Sequence, residues 1–332
     1  MRSLVERPPL AAMARFAPEF GTRFLLTVDT EEEFDWDQPL GRDNHSLDHV
    51  PRLAKFQQFC ETHAVVPIWL VDWPVANSAI AAEILKPALE GGRAEIGVQL
   101  HPWVNPPFTE ELTQLNSFSG NLPPDLEEAK FAALRDMIEA KFGIAPLIYR
   151  AGRYGLGPET AEMLARHGIA IDTSVRPLFD YSSGGGPDHR GFPLRPYWLD
   201  DRHTLLELPL TTSYWGLLRR HGDAIFPRLW RMPSLRGVLA RLGLLERIPL
   251  TPEGVSVEEA IRCIDIALDD GLQLLTFSFH SPSLRPGYTP YVRAPADVDT
   301  LYDWWRAIFA YLERRGVQSA SLADVMRHVV RG

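Results

Sequence analysis

The chain has 332 residues, of which 45% are hydrophobic and 23% are charged, and these proportions exclude collagen-like, wholly disordered and coiled-coil proteins. Its length allows two domains of ordinary size or one closed α/β barrel. With 34 basic and 43 acidic residues the net charge is −9, so there is no overall positive field to hold a nucleic-acid backbone, and no nucleic-acid partner is expected.

Two features of the sequence bear on where the protein works. Cys60 and Cys263 are too few for a disulfide framework, so we expect a cytoplasmic protein. Residues 1–16 alternate charges and prolines with short apolar pieces, unlike a signal peptide, and no run of ~18 apolar residues follows. Any membrane contact is therefore expected to be peripheral.

Short apolar runs alternate with amphipathic stretches along the chain, which is the pattern of repeated βα units. Runs that are apolar on both faces suit strands of a buried parallel sheet, and they lie at 24–28, 65–71, 94–100, 147–149, 169–171, 205–208 and 272–279. Helices are predicted at 48–63, 76–89, 124–142, 158–167, 257–270 and 295–315. A doubly wound sheet also fits, but we favour a barrel with its site at the C-terminal ends of the strands.

Two segments interrupt this alternation. Residues 105–123 form a polar, proline-containing loop that we expect to border the site. Residues from 182 to about 250 are predicted as an inserted helical and loop segment. We find no clean linker, so we predict one domain over 22–330 with an N-terminal extension over 1–21.

The richest motif follows the first predicted strand. Five carboxylates fall within residues 29–35, and in extended geometry Asp29 and Glu31 point to the same side. Convergent carboxylates suit a cation. The plainer interpretation is a solvated acidic loop, but the apolar strand that leads into Asp29 argues against it.

The second motif follows the strand at 94–100. Gln99 and His101 alternate onto one side, where an amide and an imidazole could meet the acidic cluster. A lone histidine at a strand end more often has a structural role. The acidic strand end predicted nearby is what favours a functional role for His101.

Two more strand ends carry chemistry. Arg150 and Arg153 lie in a glycine-containing turn that could hold an anion, although an ordinary loop-to-helix junction would use the same glycines. His280 ends the last long strand and could exchange a proton near neutral pH. Chance poorly explains why four strand ends all carry acidic, histidine or arginine side chains. We therefore predict that these strand ends form one functional site.

In order, the motifs VDTEEEFDW, EIGVQLHPWVNPP, YRAGRYG, DTSVRP and FSFHSPSL resemble the polysaccharide deacetylases of carbohydrate esterase family 4, the NodB homology domain, and most closely its WalW-like branch. The resemblance extends from Phe24 to about Met326. It implies a distorted NodB-like (β/α) barrel, usually of seven strands, and metal-dependent hydrolysis of an N-acetyl group. The substrate it implies is an amino sugar of a surface polysaccharide or lipopolysaccharide precursor.

The resemblance also implies roles for single residues. Asp29 matches the general base and His280 the general acid. Arg150 matches the arginine that orients the base. Tyr154 falls near the position whose backbone N–H holds the oxyanion. These four are the expected catalytic residues.

The expected metal ligands are Glu31, His101 and Gln99. Family members commonly supply two histidines four residues apart, whereas here the first position is Gln99 and Asn105 stands four residues after His101. A site of Glu31 and His101 with Gln99 or Asn105 is oxygen-rich and should bind a divalent ion, of the Zn, Co, Mn or Ni class, more weakly than a two-histidine site and with less preference for zinc.

Several assignments concern the substrate and its surroundings. Trp103, Arg153 and Asn105 are expected to contact the substrate, with Trp103 favoured over Trp36 for stacking on a sugar. Asp172 is equally an anchor for the arginine motif or a catalytic group.

Residues 216–249 are basic and apolar, which suits peripheral membrane contact or a lid, although a solvated helical hairpin is the plainer interpretation. Two alternative functions stay open. One is hydrolysis of a small amide, such as a ureide or formamide, on the same barrel. The other is glycan binding by a protein whose metal site has decayed.

Overall fold

The computed structural model describes residues 1–34, 38–229 and 232–330. The strands are β1 (Arg23–Thr30), β2 (Pro67–Val71), β3 (Glu95–Leu100), β4 (Ile148–Ala151), β5 (Ile171–Asp172), β6 (Tyr197–Trp198), β7 (Leu206–Glu207), β8 (Thr212–Trp215), β9 (Glu246–Pro249), β10 (Leu274–His280) and β11 (Gln318–Ser319). The helices are α1 (Leu53–Thr62), α2 (Trp73–Ala76), α3 (Ala79–Glu90), α4 (Pro124–Phe142), α5 (Thr160–Arg166), α6 (Gly222–Leu229), α7 (Pro233–Arg241), α8 (Val257–Asp269), α9 (Pro295–Arg314) and α10 (Leu322–His328).

One curled sheet organises the molecule. Its strands run in the order β10-β1-β2-β3-β4-β5-β7, with every neighbouring pair parallel, and β6 adds antiparallel to β7. The gap between β7 and β10 is bridged by single backbone hydrogen bonds, from Thr211 N–H to the Thr276 carbonyl and from Ser278 N–H to the Leu250 carbonyl, each 3.2 Å. This architecture confirms the predicted distorted α/β barrel.

Alternation along the strands divides the core into two layers. On β1, Phe24, Leu26 and Val28 pack with the surrounding helices, whereas Leu25 belongs to a separate cluster inside the barrel. Asp29 follows on the inner side, in register with His280 on β10. The barrel interior is therefore apolar at its lower end and polar where the strands end.

The lower end of the barrel is sealed by both ends of the chain. Phe16 and Phe20 stack on each other and join the inner cluster together with Val325 and Val329. Backbone hydrogen bonds from Ala17 N–H to the His328 carbonyl, 2.9 Å, and from Val330 N–H to the Arg15 carbonyl, 2.7 Å, hold the two segments together. The N-terminal segment thus packs as part of the barrel floor.

The segment from 182 to about 250 is only partly an insertion. Its first half returns to the main sheet as β6 and β7, because Leu206 is an inner core residue of the barrel. Its second half forms the β8–β9 hairpin with α6 and α7, around a small cluster of Tyr214, Phe226, Leu229 and Leu245. Within the described part of the chain, no helix has both the length and the apolar character needed to cross a membrane.

Candidate active site

A cavity of about 660 Å³ opens at the C-terminal ends of the strands. All four predicted strand ends reach it, and the expected catalytic and metal-binding residues line it together: Asp29, Glu31, Gln99, His101, Arg150, Tyr154 and His280. The loop at 105–123 borders the cavity through Leu112, Thr113, Gln114 and Phe118.

Asp29 is a buried carboxylate held by an arginine. Its Oδ1 accepts a hydrogen bond from Arg150 Nη1, and both side chains are almost fully buried. Arg150 is fixed in turn, because its Nε donates to the Thr173 carbonyl at 3.0 Å and its Nη2 to Thr27 Oγ1 at 2.9 Å. The buried ion pair fixes the Asp29 carboxylate where it lines the cavity.

His280 faces the same carboxylate from β10, with its Nε2 3.8 Å from Asp29 Oδ2. Its Nδ1 lies 2.7 Å from Glu253 Oε2, and Glu253 Oε1 accepts from Ser283 Oγ at 2.6 Å. Burial alone would lower the pKa of His280, but the charge of Glu253, with those of Glu31 and Asp29, outweighs it and raises the pKa to about 10. His280 therefore carries a proton at neutral pH.

Glu31, Gln99 and His101 come together beside Asp29. Gln99 Nε2 is 2.9 Å from Glu31 Oε2 and 3.2 Å from His101 Nε2, which is itself 3.4 Å from Glu31 Oε2. Ligands ~2.0–2.2 Å from one shared ion lie about 3–3.5 Å apart, so these separations suit a divalent cation.

An unsatisfied amide oxygen supports the same assignment. Gln99 Oε1 is buried and has no hydrogen-bond partner among the described residues. Turning this amide over places Oε1 beside Glu31 and His101, where a cation would satisfy it. Burial raises the pKa of Glu31 to about 8, against the opposing charges of His280 and His101, and a bound cation would favour its ionised form. The residues therefore fit the implied metal ion.

The other nitrogen of His101 is held by a second group of acids. His101 Nδ1 is 2.8 Å from Glu32 Oε2, and Trp103 Nε1 donates to Glu32 Oε1 at 2.7 Å. Glu32, Asp72 and His101 are close enough together to hold a cation themselves. However, Asp72 already accepts from Glu32 N–H at 2.7 Å and caps α2 through Val75 N–H at 2.9 Å.

This acidic group is best explained as support for His101. Burial raises the pKa of both Glu32 and Asp72. A carboxylate that accepts Nδ1–H fixes the tautomer and leaves Nε2 free to bind a metal on the cavity side, as is common for metal-bound histidines.

The turn after β4 needs its glycine. A Cβ added at Gly152 would lie 2.3 Å from His101 Cδ2, so a larger residue would collide with the histidine. Arg153 and Tyr154 follow with positive φ values of 55° and 59° and both line the cavity. The chain thus turns sharply beside the C-terminal ends of β3 and β4, which brings the arginine motif against the site.

The residues predicted to contact the substrate differ in whether they line the cavity. Trp103 lines the cavity but is only 2% exposed, with its ring stacked on His101 at 4.3 Å. Asn105 is fully buried and lies outside the cavity lining, where its Nδ2 donates to the carbonyls of Pro106 at 2.7 Å and Lys130 at 2.8 Å. Trp36 falls outside the described residues.

Asp172 also lies away from the cavity. It is buried and accepts hydrogen bonds from Ser174 Oγ at 2.7 Å and Ser174 N–H at 3.1 Å. Ser174 Oγ accepts in turn from Ala151 N–H at 2.8 Å. Asp172 is therefore placed to anchor the arginine motif and not to reach a substrate.

Sequence reasoning missed Glu253 and Arg176. Glu253 precedes α8 in a turn with no strand-end pattern, and only its contact with His280 shows its importance. Arg176 belongs to the DTSVRP motif and lines the cavity, but neither its spacing nor its neighbours in the sequence indicate this.

No family model and no curated protein matches the chain. Among solved structures, a candidate polysaccharide deacetylase from Mycobacterium smegmatis matches with a TM-score of 0.52 and 18% identity, over 98% of this chain and 95% of that one. The two share the NodB-like barrel. At this identity the likeness concerns the fold alone.

A 4-alpha-glucanotransferase from Thermococcus litoralis also matches with a TM-score of 0.52, at 14% identity, over 92% of this chain. The chain spans 40% of the length of that protein. Because proteins with different reactions in their names share this barrel, the reaction has to be argued from the side chains at the site.

Proposed function

We propose that the protein is a metal-dependent hydrolase that removes the N-acetyl group of an amino sugar. The observation that carries this proposal is the arrangement of two proton-handling pairs, Asp29 with Arg150 and His280 with Glu253, around Glu31, Gln99 and His101 in one cavity.

An acetamide is a poor electrophile, so its hydrolysis needs an activated water, stabilisation of the developing oxyanion and a proton for the departing amine. Asp29, oriented by its ion pair with Arg150, takes the proton of the attacking water. His280, protonated at neutral pH, gives a proton to the amine nitrogen. Glu31, His101 and Gln99 would hold a divalent ion, which would supply Lewis-acid polarisation of the carbonyl group. The backbone N–H of Tyr154 is assigned to the oxyanion.

The proposed substrate class comes from the WalW-like resemblance, which points to an amino sugar of a surface polysaccharide or a lipopolysaccharide precursor. The cavity volume is in the ordinary range of ~300–1,000 Å³ for small-molecule sites.

Acetate release tests this function directly. The full chain is freed of metal with a chelator, reloaded with Zn²⁺, Co²⁺, Mn²⁺ or Ni²⁺, and incubated with N-acetylglucosamine oligosaccharides. We expect acetate and a free amine in the reloaded protein only. Hydrolysis of a ureide or formamide in place of the acetylated sugar would instead support the small-amide alternative.

The glycan-binding alternative makes a different prediction. A protein with a decayed metal site would bind the oligosaccharides and release no acetate, and a Gln99→His variant would gain acetate release. Acetate release by the wild-type protein contradicts this alternative.

We also propose a cytoplasmic location with peripheral membrane contact through 216–249, of which 230 and 231 lie outside the described residues. Cys60 and Cys263 are buried free thiols, which suits a reducing compartment. Leu217 is 84% exposed, and Leu235 and Leu242 are also exposed on this basic segment. Sedimentation with vesicles of anionic lipid at low salt tests the contact, and a protein that stays in the supernatant contradicts it.

A further inference from the structure

Two arginines in the cavity wall have no acidic partner. Arg153 and Arg176 both line the cavity, and among the described residues no carboxylate lies within ion-pair distance of either one. Arg150, by contrast, is paired with Asp29 in the same cavity.

The contacts of both guanidinium groups are neutral. Arg153 Nη1 donates to Ser117 Oγ, and its Cζ lies 4.3 Å above the ring of Phe118. Arg176 Nη1 donates to Tyr181 Oη at 3.3 Å, and its Cζ lies 4.0 Å from the ring centre of Phe179. Hydroxyl and ring contacts orient a guanidinium group but leave its charge uncompensated.

One nitrogen of Arg176 is unsatisfied. Its Nε is buried and has no hydrogen-bond partner among the described residues. A buried donor without a partner costs free energy, as does a partly buried cation without a counter-ion, and a bound anion would recover both costs.

The surrounding field is also positive. Arg247 lies 3.5 Å above the same Phe179 ring that Arg176 contacts. Burial, together with the nearby charge of Arg176, lowers the pKa of Arg247 to about 10. Burial likewise lowers the pKa of Arg153. The wall with Arg153 and Arg176 therefore favours a negative group, whereas Asp29 and Glu31, with Glu253 beside His280, make the opposite part of the cavity acidic.

We infer that Arg153 and Arg176 form a subsite for an anionic oxygen group on the substrate, a carboxylate or a phosphate. The inference rests on the proposed function, since it adds that the N-acetylated sugar is charged. A guanidinium group can bind either oxyanion through two parallel hydrogen bonds, and Tyr181 holds Arg176 in place. A neutral N-acetyl sugar would leave both charges unpaired.

One neutral and two negatively charged sugars test the subsite. The neutral sugar is N-acetylglucosamine, and the charged sugars are N-acetylglucosamine 1-phosphate, with a phosphate, and N-acetylmuramic acid, with a carboxylate. The quantity measured is the ratio of kcat/KM for a charged sugar to that for the neutral one. We expect a ratio above one in the wild-type protein, and the larger of the two ratios identifies phosphate or carboxylate as the group bound.

The Arg176→Gln variant should lower this ratio about 10- to 100-fold, the loss expected when a hydrogen bond to a charged group is removed. Arg176→Lys keeps the charge without the planar fork and should lower it less. Arg306→Gln, which removes an exposed arginine of α9 outside the cavity, controls for the change in net charge and should leave the ratio unchanged.

The two proposals fail in different ways. A ratio that is the same in wild-type protein and in Arg176→Gln overturns the anion subsite and leaves the deacetylase function standing. If no sugar releases acetate, the proposed function fails, and calorimetric binding of the same three sugars decides the subsite. Tighter binding of a charged sugar that Arg176→Gln weakens supports it, and equal affinities overturn it.

Discussion

The two ends of the barrel interior are built from the same strands but differ in chemistry. At the lower end, Leu25, Ile68 and Leu274 pack against the chain termini. At the upper end, Asp29 and His280 line the cavity. On β1 the change takes four residues, about 13 Å of strand. Residues that stabilise the fold and residues proposed for the chemistry are therefore separated along each strand, and substitutions at the two ends should have separable effects.

The largest expected effect is on turnover at the upper end. Asp29→Asn and His280→Ala should each lower kcat about 10²–10⁴-fold, the usual contribution of a general acid or base. Asp29→Asn should stay folded because Arg150 keeps its hydrogen bonds to Thr27 and Thr173, and His280→Ala should stay folded because the His280 side chain is partly exposed in the cavity. Acetate release and circular dichroism measure the two quantities. Asp303→Asn, at an exposed residue of α9, is the matched control, and full activity in folded Asp29→Asn would refute its role.

The opposite result is expected at the lower end. Phe20→Ala removes a buried ring from the barrel floor and should lower the free energy of unfolding by about 3–5 kcal/mol. Denaturant unfolding gives this value. Activity per folded molecule should be unchanged, and its loss would show that the two ends are coupled. Leu10→Ala, in the same segment but 90% exposed, should have little effect.

A third substitution tests the support of His101. In Glu32→Gln one amide oxygen must serve two donors, His101 Nδ1–H and Trp103 Nε1–H. One donor loses its acceptor, and the affinity for a divalent ion should fall about 10- to 100-fold. Competition with a chelating dye measures this affinity. Glu95 lies at the start of β3, the strand that leads to His101, and its carboxylate accepts a hydrogen bond from Leu322 N–H. The control variant Glu95→Gln should leave the affinity for the divalent ion unchanged.

The smallest expected effect is a shift in pH dependence. Glu253 is the main charge that raises the pKa of His280 to about 10. Glu253→Gln should lower the pKa of His280, so that His280 loses its proton at a lower pH. The alkaline limb of the kcat/KM profile should therefore shift to lower pH. A pH profile measures the shift. An unmoved limb with lower activity would mean that Glu253 acts only by orientation.

The sequence predicted the fold well because the elements are locally encoded. The helix at 124–142 coincides with α4, which begins at a proline and ends before Gly143 in the left-handed conformation. The seven predicted strands correspond to β1, β2, β3, β4, β5, β7 and β10, whereas the two-residue strand β11, which pairs parallel with β1, was not predicted. Apolar runs between helices are sufficient to place buried parallel strands.

The site was predictable only where strand alternation decides direction. Alternation places Asp29 and Glu31 on one side, and both line the cavity. It could not show that Glu32 turns back to His101, nor that Trp103 is held by Glu32, because these contacts join different loops. Glu253 and Arg176 acquire their positions only when distant segments pack together.

The barrel floor has a consequence for folding in the cell. Phe16 and Phe20 obtain their apolar neighbours partly from residues 320–329, about 300 positions later in the chain. At roughly 5–20 residues per second, a ribosome needs about 15–60 s to synthesise the intervening stretch. Throughout that interval the aromatic pair lacks its final cover. The nascent protein therefore exposes an apolar surface that chaperones can bind until translation is nearly complete.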